Sequence, residues 1–206
     1  MSLDIDGTLV RRAGPHHRLA LIEAIRVVAG VETTTDGIPV HGMLDPDIIR
    51  LMLPGRDDLM PRIIEVAQDL YDPPELIGKT CPGVIELLEH LRERATLALV
   101  TGNLTRIGWR KLQRAGVDGF FRFGAFGEMA PTRGGLARLA IERARSEGPV
   151  GKITLIGDAP QDVRAAQENG IRSIAVRTGV TPPSDLEACR PDHLYDDLTQ
   201  LDLSIV

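Results

Sequence analysis

Asp4-Ile5-Asp6-Gly7-Thr8 decides how this chain folds and what it does. Two carboxylates stand one residue apart and are followed at once by Gly-Thr. Where a strand gives way to a tight turn, such a pair aims both acids at one point. Adjacent anions repel, so they stay together only when a divalent cation or a shared proton compensates. The stretch therefore predicts a strand end that carries a charge-compensated site.

Around that stretch the chain alternates between short apolar runs and helical patterns. Runs rich in β-branched residues or Leu lie at 1–5, 97–100, 153–156 and 173–176, with weaker strand signals at 121–123 and 193–195. The residues before Asp4 are few, so the first strand is expected to be short. Pro82-Gly83 introduces a helix whose apolar positions are Val84, Leu87, Leu88 and Leu91, a 3-4 spacing with a polar back. Further helices are predicted over 136–144 and over 159–169, the latter closed by Gly170. Strand and helix in alternation predict α/β architecture, a doubly wound, Rossmann-like parallel sheet. Residues 11–79 behave differently, with helical runs at 18–28, 46–53 and 61–70 and a strand signal only at 38–40. Gly14-Pro15 and Asp72-Pro73-Pro74 are hinge signals near its edges. The expected organisation is an α/β core of residues 1–10 and 80–206 with a small, mainly helical cap over 11–79.

Composition narrows the class. With 206 residues, 43% hydrophobic and 26% charged, the chain can bury a sizeable core. Only 3% is aromatic, so that core must be built from Leu, Ile, Val and Ala. A formal net charge of -5, with Arg and Lys dispersed among acids, gives no footprint for nucleic acid. No run approaches the ~20 apolar residues of a membrane span. Asp4 comes too early for a secretion signal, so a cytoplasmic enzyme, monomer or homodimer, is expected. Cys81 and Cys189 match no ligand spacing and are expected to be reduced.

In an open parallel sheet, ligands bind beyond the carboxyl ends of the strands. Polar residues follow the apolar runs at those positions: Asp4 and Asp6 after the first, Thr101-Gly102-Asn103 after the second, and Gly157-Asp158 after the third. Each piece alone reads as a turn or a helix cap, and Asp162 alone as a solvated helix acid. Together they form a constellation at one sheet edge.

These residues resemble motifs I, II and IV of the haloacid dehalogenase-like superfamily. The match consists of Asp4-Ile5-Asp6-Gly7-Thr8, Leu99-Val100-Thr101-Gly102-Asn103, and Gly157-Asp158 followed by Asp162, in the family's order. Gly42-Met43-Leu44-Asp45, Phe123-Gly124-Ala125-Phe126-Gly127 and the tail from Thr178-Gly179 to Asp185-Leu186 are similar to its phosphoglycolate-phosphatase-like branch. The resemblance implies a Mg²⁺-dependent phosphomonoester hydrolase acting on a small phosphorylated metabolite, such as phosphoglycolate or a sugar phosphate. It implies Asp4 as the nucleophile that becomes an aspartyl-phosphate. Asp6 would protonate the leaving alkoxide and then deprotonate water. Asp4, the Asp6 carbonyl and Asp158 would be ligands of the ion, with Asp162 in support. Thr101, Gly102 and Asn103 would hold phosphoryl oxygens.

The family's motif III cation departs here from its common Lys-Pro form. Arg133 lies at the start of the helix before the 153–156 run, whereas Lys152 enters that run at its amino end, so Arg133 is favoured. A helical cap at this position implies closure over the site, and Arg11, Arg12, His16, Gly42 and Asp45 are the candidate cap or hinge residues. His16 and His17 have no acid or Ser partner in sequence, which favours a solvated helix start. Two other functions remain open. One is a phosphomutase with the same two acids. The other is a non-catalytic phospho-accepting module, which would lack an equivalent of Asp6. Asp6 argues against dehalogenation, which needs no proton donor for a leaving alkoxide.

Overall fold

The computed structural model describes residues 1–205. A single six-stranded sheet runs in the order β3-β2-β1-β4-β5-β6, with every neighbouring pair parallel. The strands are β1 (Ser2–Leu3), β2 (Ala98–Val100), β3 (Phe123–Ala125), β4 (Thr154–Gly157), β5 (Arg172–Val176) and β6 (His193–Tyr195). The chain winds outward from β1 through β2 to β3, then returns to the other side of β1 to lay down β4, β5 and β6. That reversal makes the carboxyl ends of β1, β2 and β4 the lip of a crevice.

Alternation along each strand sends neighbouring side chains to opposite faces. Leu3, Leu99, Ile156 and Val176 pack on one face with Leu87, Leu88 and Leu91 of α4 (Val84–Leu91) and Leu112 of α5 (Thr105–Ala115). Val100, Leu155 and Ala125 pack on the other with Leu136, Ala137 and Ala140 of α6 (Arg133–Ser146) and Ala165 and Ala166 of α7 (Pro160–Glu168). Thr132 caps α6 by accepting from the Gly135 amide at 3.0 Å, which places Arg133 in its first turn. Helix α8 (Pro183–Ala188) lies between β5 and β6 in the chain.

The helical segment has its own core. Ala20, Leu21, Ala24 and Ile25 of α1 (His16–Ala29) meet Ile63, Val66 and Ala67 of α3 (Met60–Leu70) and Ile49 of α2 (Asp45–Met52). Leu104 and Ile107, at the start of α5, complete that cluster from the sheet side. The segment leaves and rejoins the sheet at one place: Val10 bridges Thr80, and the Arg11 amide donates to the Lys79 carbonyl at 2.8 Å.

Three local expectations are corrected. Residues 38–40 form no strand, because no sheet edge lies beside them; they run as a loop stitched by the Ile38 amide to Thr35 O at 3.0 Å. The strand expected at 121–123 begins two residues later, at Phe123, because Asp118–Phe120 is a turn of 3₁₀ helix. α6 extends beyond 136–144 at both ends, its first turn supported by the Thr132 cap.

The loop before α2 is seated on the sheet edge by the Asp45 amide, which donates to Gly102 O at 2.9 Å. A Cβ on Gly102 would come within 2.1 Å of Met43 O, so only glycine lets the two backbones approach this closely. Gly102→Ala is expected to lift residues 43–45 off the edge and leave the sheet intact. The Asp45 amide should then exchange with solvent at least about tenfold faster, while amides of β2 and β4 are unchanged.

Candidate active site

Acids, a hydroxyl and cations converge at the carboxyl ends of β1, β2 and β4. Asp4 follows β1 and is 5% exposed. Asp158 follows β4, and Asp162 lies in the first turn of α7; both are buried. One carboxylate oxygen from each of Asp4, Asp158 and Asp162 lies within 4.8 Å of the other two. Asp158 accepts from Thr8 Oγ1 at 3.0 Å, so the Gly7-Thr8 turn braces the cluster. Gly7 holds φ +78°, and a Cβ there would meet Asp158 Oδ2 at 2.3 Å.

Arg133 is the buried countercharge. Its Nη2 lies 3.1 Å from Asp4 Oδ1 and its Nε donates to Asp162 Oδ1 at 2.8 Å. Lys152 lies instead in a separate hollow with Met1, Ser2 and Thr96, at the amino ends of the strands. Three buried atoms of this cluster have no hydrogen-bond partner: Asp4 Oδ1, Asp158 Oδ2 and Arg133 Nη1. Asp4 Oδ1 and Asp158 Oδ2 meet only their ion-pair partners Arg133 and His41, so both retain acceptor capacity beside the unpartnered Arg133 Nη1, which suits a ligand that carries both a cation and an anion.

A second group surrounds Asp6, whose carboxylate is 42% exposed. Asn103 Nδ2 donates to Asp6 Oδ2 and to Thr101 Oγ1, each at 2.8 Å. Lys111, on α5, donates to Asp6 Oδ1 at 2.8 Å and Oδ2 at 2.5 Å, and to Asn103 Oδ1 at 2.6 Å. Its Nζ also lies 3.1 Å from His17 Nδ1. An ammonium has only donors, so that ring nitrogen accepts, and Nε2 carries the proton donated to Asp45 Oδ2 at 2.8 Å. Asp45 Oδ2 also accepts from the Leu104 amide at 2.8 Å.

The environment separates the two acids of the opening motif. Burial, opposed by Arg133 and reinforced by Asp162, Asp158 and Asp6, pushes Asp4 up to about 7. Burial would also raise Asp6, but Lys111, with His17 and the Asn103 bond, holds it at about 2. His41 Nε2 sits 3.2 Å from Asp158 Oδ2, and that contact raises the imidazole above its ordinary range.

Above these groups is a cavity of about 250 Å³ lined by Asp4, Asp6, Arg133, His17, Arg18 and His41 among others. Gly42, Asp45, Gly102 and Asn103 also line it, and Thr101 is buried beneath. Arg11 and His16, candidate cap or hinge residues, are exposed and do not line it. Arg11 spends its amide on the Lys79 carbonyl, and His16 opens α1 on its outer side. The histidine that reaches inward is His17, read from the sequence as solvated. Lys111 and His41 were not singled out at all. Lys111 is signalled only by sharing the face of Ile107, Leu112 and Ala115 in α5.

The model of the HAD-hydrolase-like family matches residues 133–201. Phosphoglycolate phosphatase of Pseudomonas putida is 25% identical over 96% of this chain and 76% of its own length. The chain is similar to haloacid dehalogenase-like hydrolases. In fold, this HAD-like chain is similar to CbbY of Rhodobacter sphaeroides, solved in complex with xylulose 1,5-bisphosphate (TM-score 0.73, 21% identity, 98% of this chain and 96% of that one). It is also similar to β-phosphoglucomutase of Clostridium difficile (TM-score 0.72, 16% identity, covering 99% and 93%).

The raised Asp4 has a consequence for the HAD-like chain without metal. Its folded pKa of about 7 lies above the model-peptide 3.8, so between those values the folded chain holds a proton that the unfolded chain has released. This group therefore costs stability as pH rises from about 4 to about 7, an effect on the order of a few kcal/mol. In chelator, the gain in thermal midpoint on going from wild type to Asp4→Asn should be larger at pH 7 than at pH 5.

Proposed function

We propose that this chain is a phosphomonoester hydrolase that acts on a small phosphorylated metabolite with Mg²⁺ as its cation. The observation that carries the reading is the buried cluster of Asp4, Asp158 and Asp162 beside Arg133, of which Asp4 and Arg133 line one small cavity. The donor set is all oxygen, as a hard divalent ion requires, so the residues fit the group. Asp4, the Asp6 carbonyl and Asp158 would hold it, with Asp162 in support. When bound, it would quench the repulsion between an anionic nucleophile and an anionic substrate.

The chain's own residues then divide the work. Thr101, Gly102, Asn103 and Arg133 receive the phosphoryl oxygens and turn phosphorus toward Asp4. A carboxylate oxygen of Asp4 attacks, an aspartyl-phosphate forms, and the bond from phosphorus to the leaving oxygen breaks. Asp6 gives that oxygen a proton, then takes one from the water that hydrolyses the acyl phosphate. Asp6 is ionised as it stands beside Lys111, which is the form needed for the water step; it must pick up a proton before it can serve as the acid.

The cavity size favours a metabolite of a few carbons. Arg18 and His41 give the cavity wall positive character, which suits a substrate with a second anionic group, of the phosphoglycolate kind. The similarity to a curated phosphoglycolate phosphatase points the same way. The test is release of inorganic phosphate from p-nitrophenyl phosphate and from 2-phosphoglycolate, with Mg²⁺ and with chelator. Turnover should require the metal and fall by about a thousandfold or more in Asp4→Asn. Arg133→Met should lose about a hundredfold or more, because it removes a preorganised donor from the phosphoryl group. No release from any ester overturns the reading, and an isomerised sugar phosphate without free phosphate replaces it with a mutase.

A further inference from the structure

Lys111 is 1% exposed, on a helix whose other inward residues are apolar or small. Burying a lysine is expensive unless it is fully paired, and a buried ion pair is weak evidence for a stabilising role. This one is fully paired: its three donors meet three residues, Asp6, Asn103 and His17. Two of those belong to the sheet edge and the third to the helical insert.

The link on the insert side is equally specific. His17 is in the first turn of α1, and its protonated nitrogen is committed to Asp45 at the start of α2. Asp45 in turn takes the Leu104 amide at the head of α5, the helix that carries Lys111. The loop from Asp6 through Lys111, His17 and Asp45 back to α5 closes on itself. It closes only while the insert is seated on the sheet edge.

We propose that Lys111 is a positioning residue for Asp6: its ammonium sets where that carboxylate sits, and its contact with His17 makes this placement depend on the seated insert. The proposal rests on the phosphatase reading above. Lys111 does not line the main cavity over Asp4, so it has no part in gripping the phosphoryl group. Its effect on turnover passes through Asp6.

The test is a double-mutant cycle followed in single-turnover mode with p-nitrophenyl phosphate and Mg²⁺. Lys111→Met should slow turnover about a hundredfold, the scale of a misplaced catalytic group. The inhibition constant for inorganic phosphate should stay within about threefold, since positioning and binding are separate contributions. In an Asp6→Asn background the same change should cost less than about threefold, because coupled residues are non-additive. His17→Leu, which cuts only the insert's side of the link, should slow turnover about tenfold in wild type and add less than about threefold to Lys111→Met. Lys111→Gln keeps a donor to Asp6 without the charge and carries the same cycle if Lys111→Met does not fold. Unchanged turnover overturns the proposal. So does an equal loss with and without Asp6, or phosphate binding lost in step with turnover. A wild type that hydrolyses no phosphomonoester removes the phosphatase reading and this inference with it; an active wild type with any of the preceding results removes the role of Lys111 alone.

Discussion

The crowding of carboxylates against one arginine is the constraint on which this molecule turns. Asp4, Asp158 and Asp162 are buried side by side, and Arg133 pairs with two of them. Electrostatics inside a protein are strong because the medium screens poorly, so such a cluster persists only if the fold holds it. The fold does so through rigid elements. Two of the acids sit just beyond strand ends and the third in the first turn of α7, the arginine is fixed by the capped first turn of α6, and Thr8 braces Asp158. The sheet places charge where charge would not gather by itself.

The two acids of the opening motif are one residue apart and yet end in opposite conditions. Asp4 is enclosed among other anions and holds its proton near neutrality, whereas Asp6 meets an ammonium and gives its proton up. The split arises because the strand ends before Asp4: a bend at Ile5 and the turn that starts at Gly7 break the alternation that would otherwise put residues 4 and 6 on one face. One points into the acidic cluster and the other toward α5 and the insert. Two acids that share one short stretch are thereby held in opposite protonation states.

Much of this was legible in the residues. The strands showed as apolar runs, and the site acids showed because they stood directly after those runs, where a parallel sheet presents ligands. Arg133 was legible from its place at a helix start, against Lys152 at the wrong end of a strand. What stayed hidden depended on helix register and on contacts between distant segments. Lys111 sits in the Arg-rich sequence Thr-Arg-Ile-Gly-Trp-Arg-Lys-Leu-Gln-Arg-Ala, where one more cation reads as surface, and only the face shared with Ile107, Leu112 and Ala115 sets it apart. His17 could not be told from His16, because its partners Asp45 and Lys111 lie 28 and 94 residues away. The loop at 38–40 has strand composition but no edge to pair with, and composition does not reveal a missing neighbour.

The side-by-side departure and return of the helical segment has a bearing on how such a chain can change. Val10 and Thr80 are bridged, so the sheet meets a closed neck at that spot whatever is suspended from it. The entropy of closing a longer or shorter excursion between fixed ends grows only with the logarithm of its length. The length of the segment beyond the neck can therefore change at little cost to the sheet that carries it.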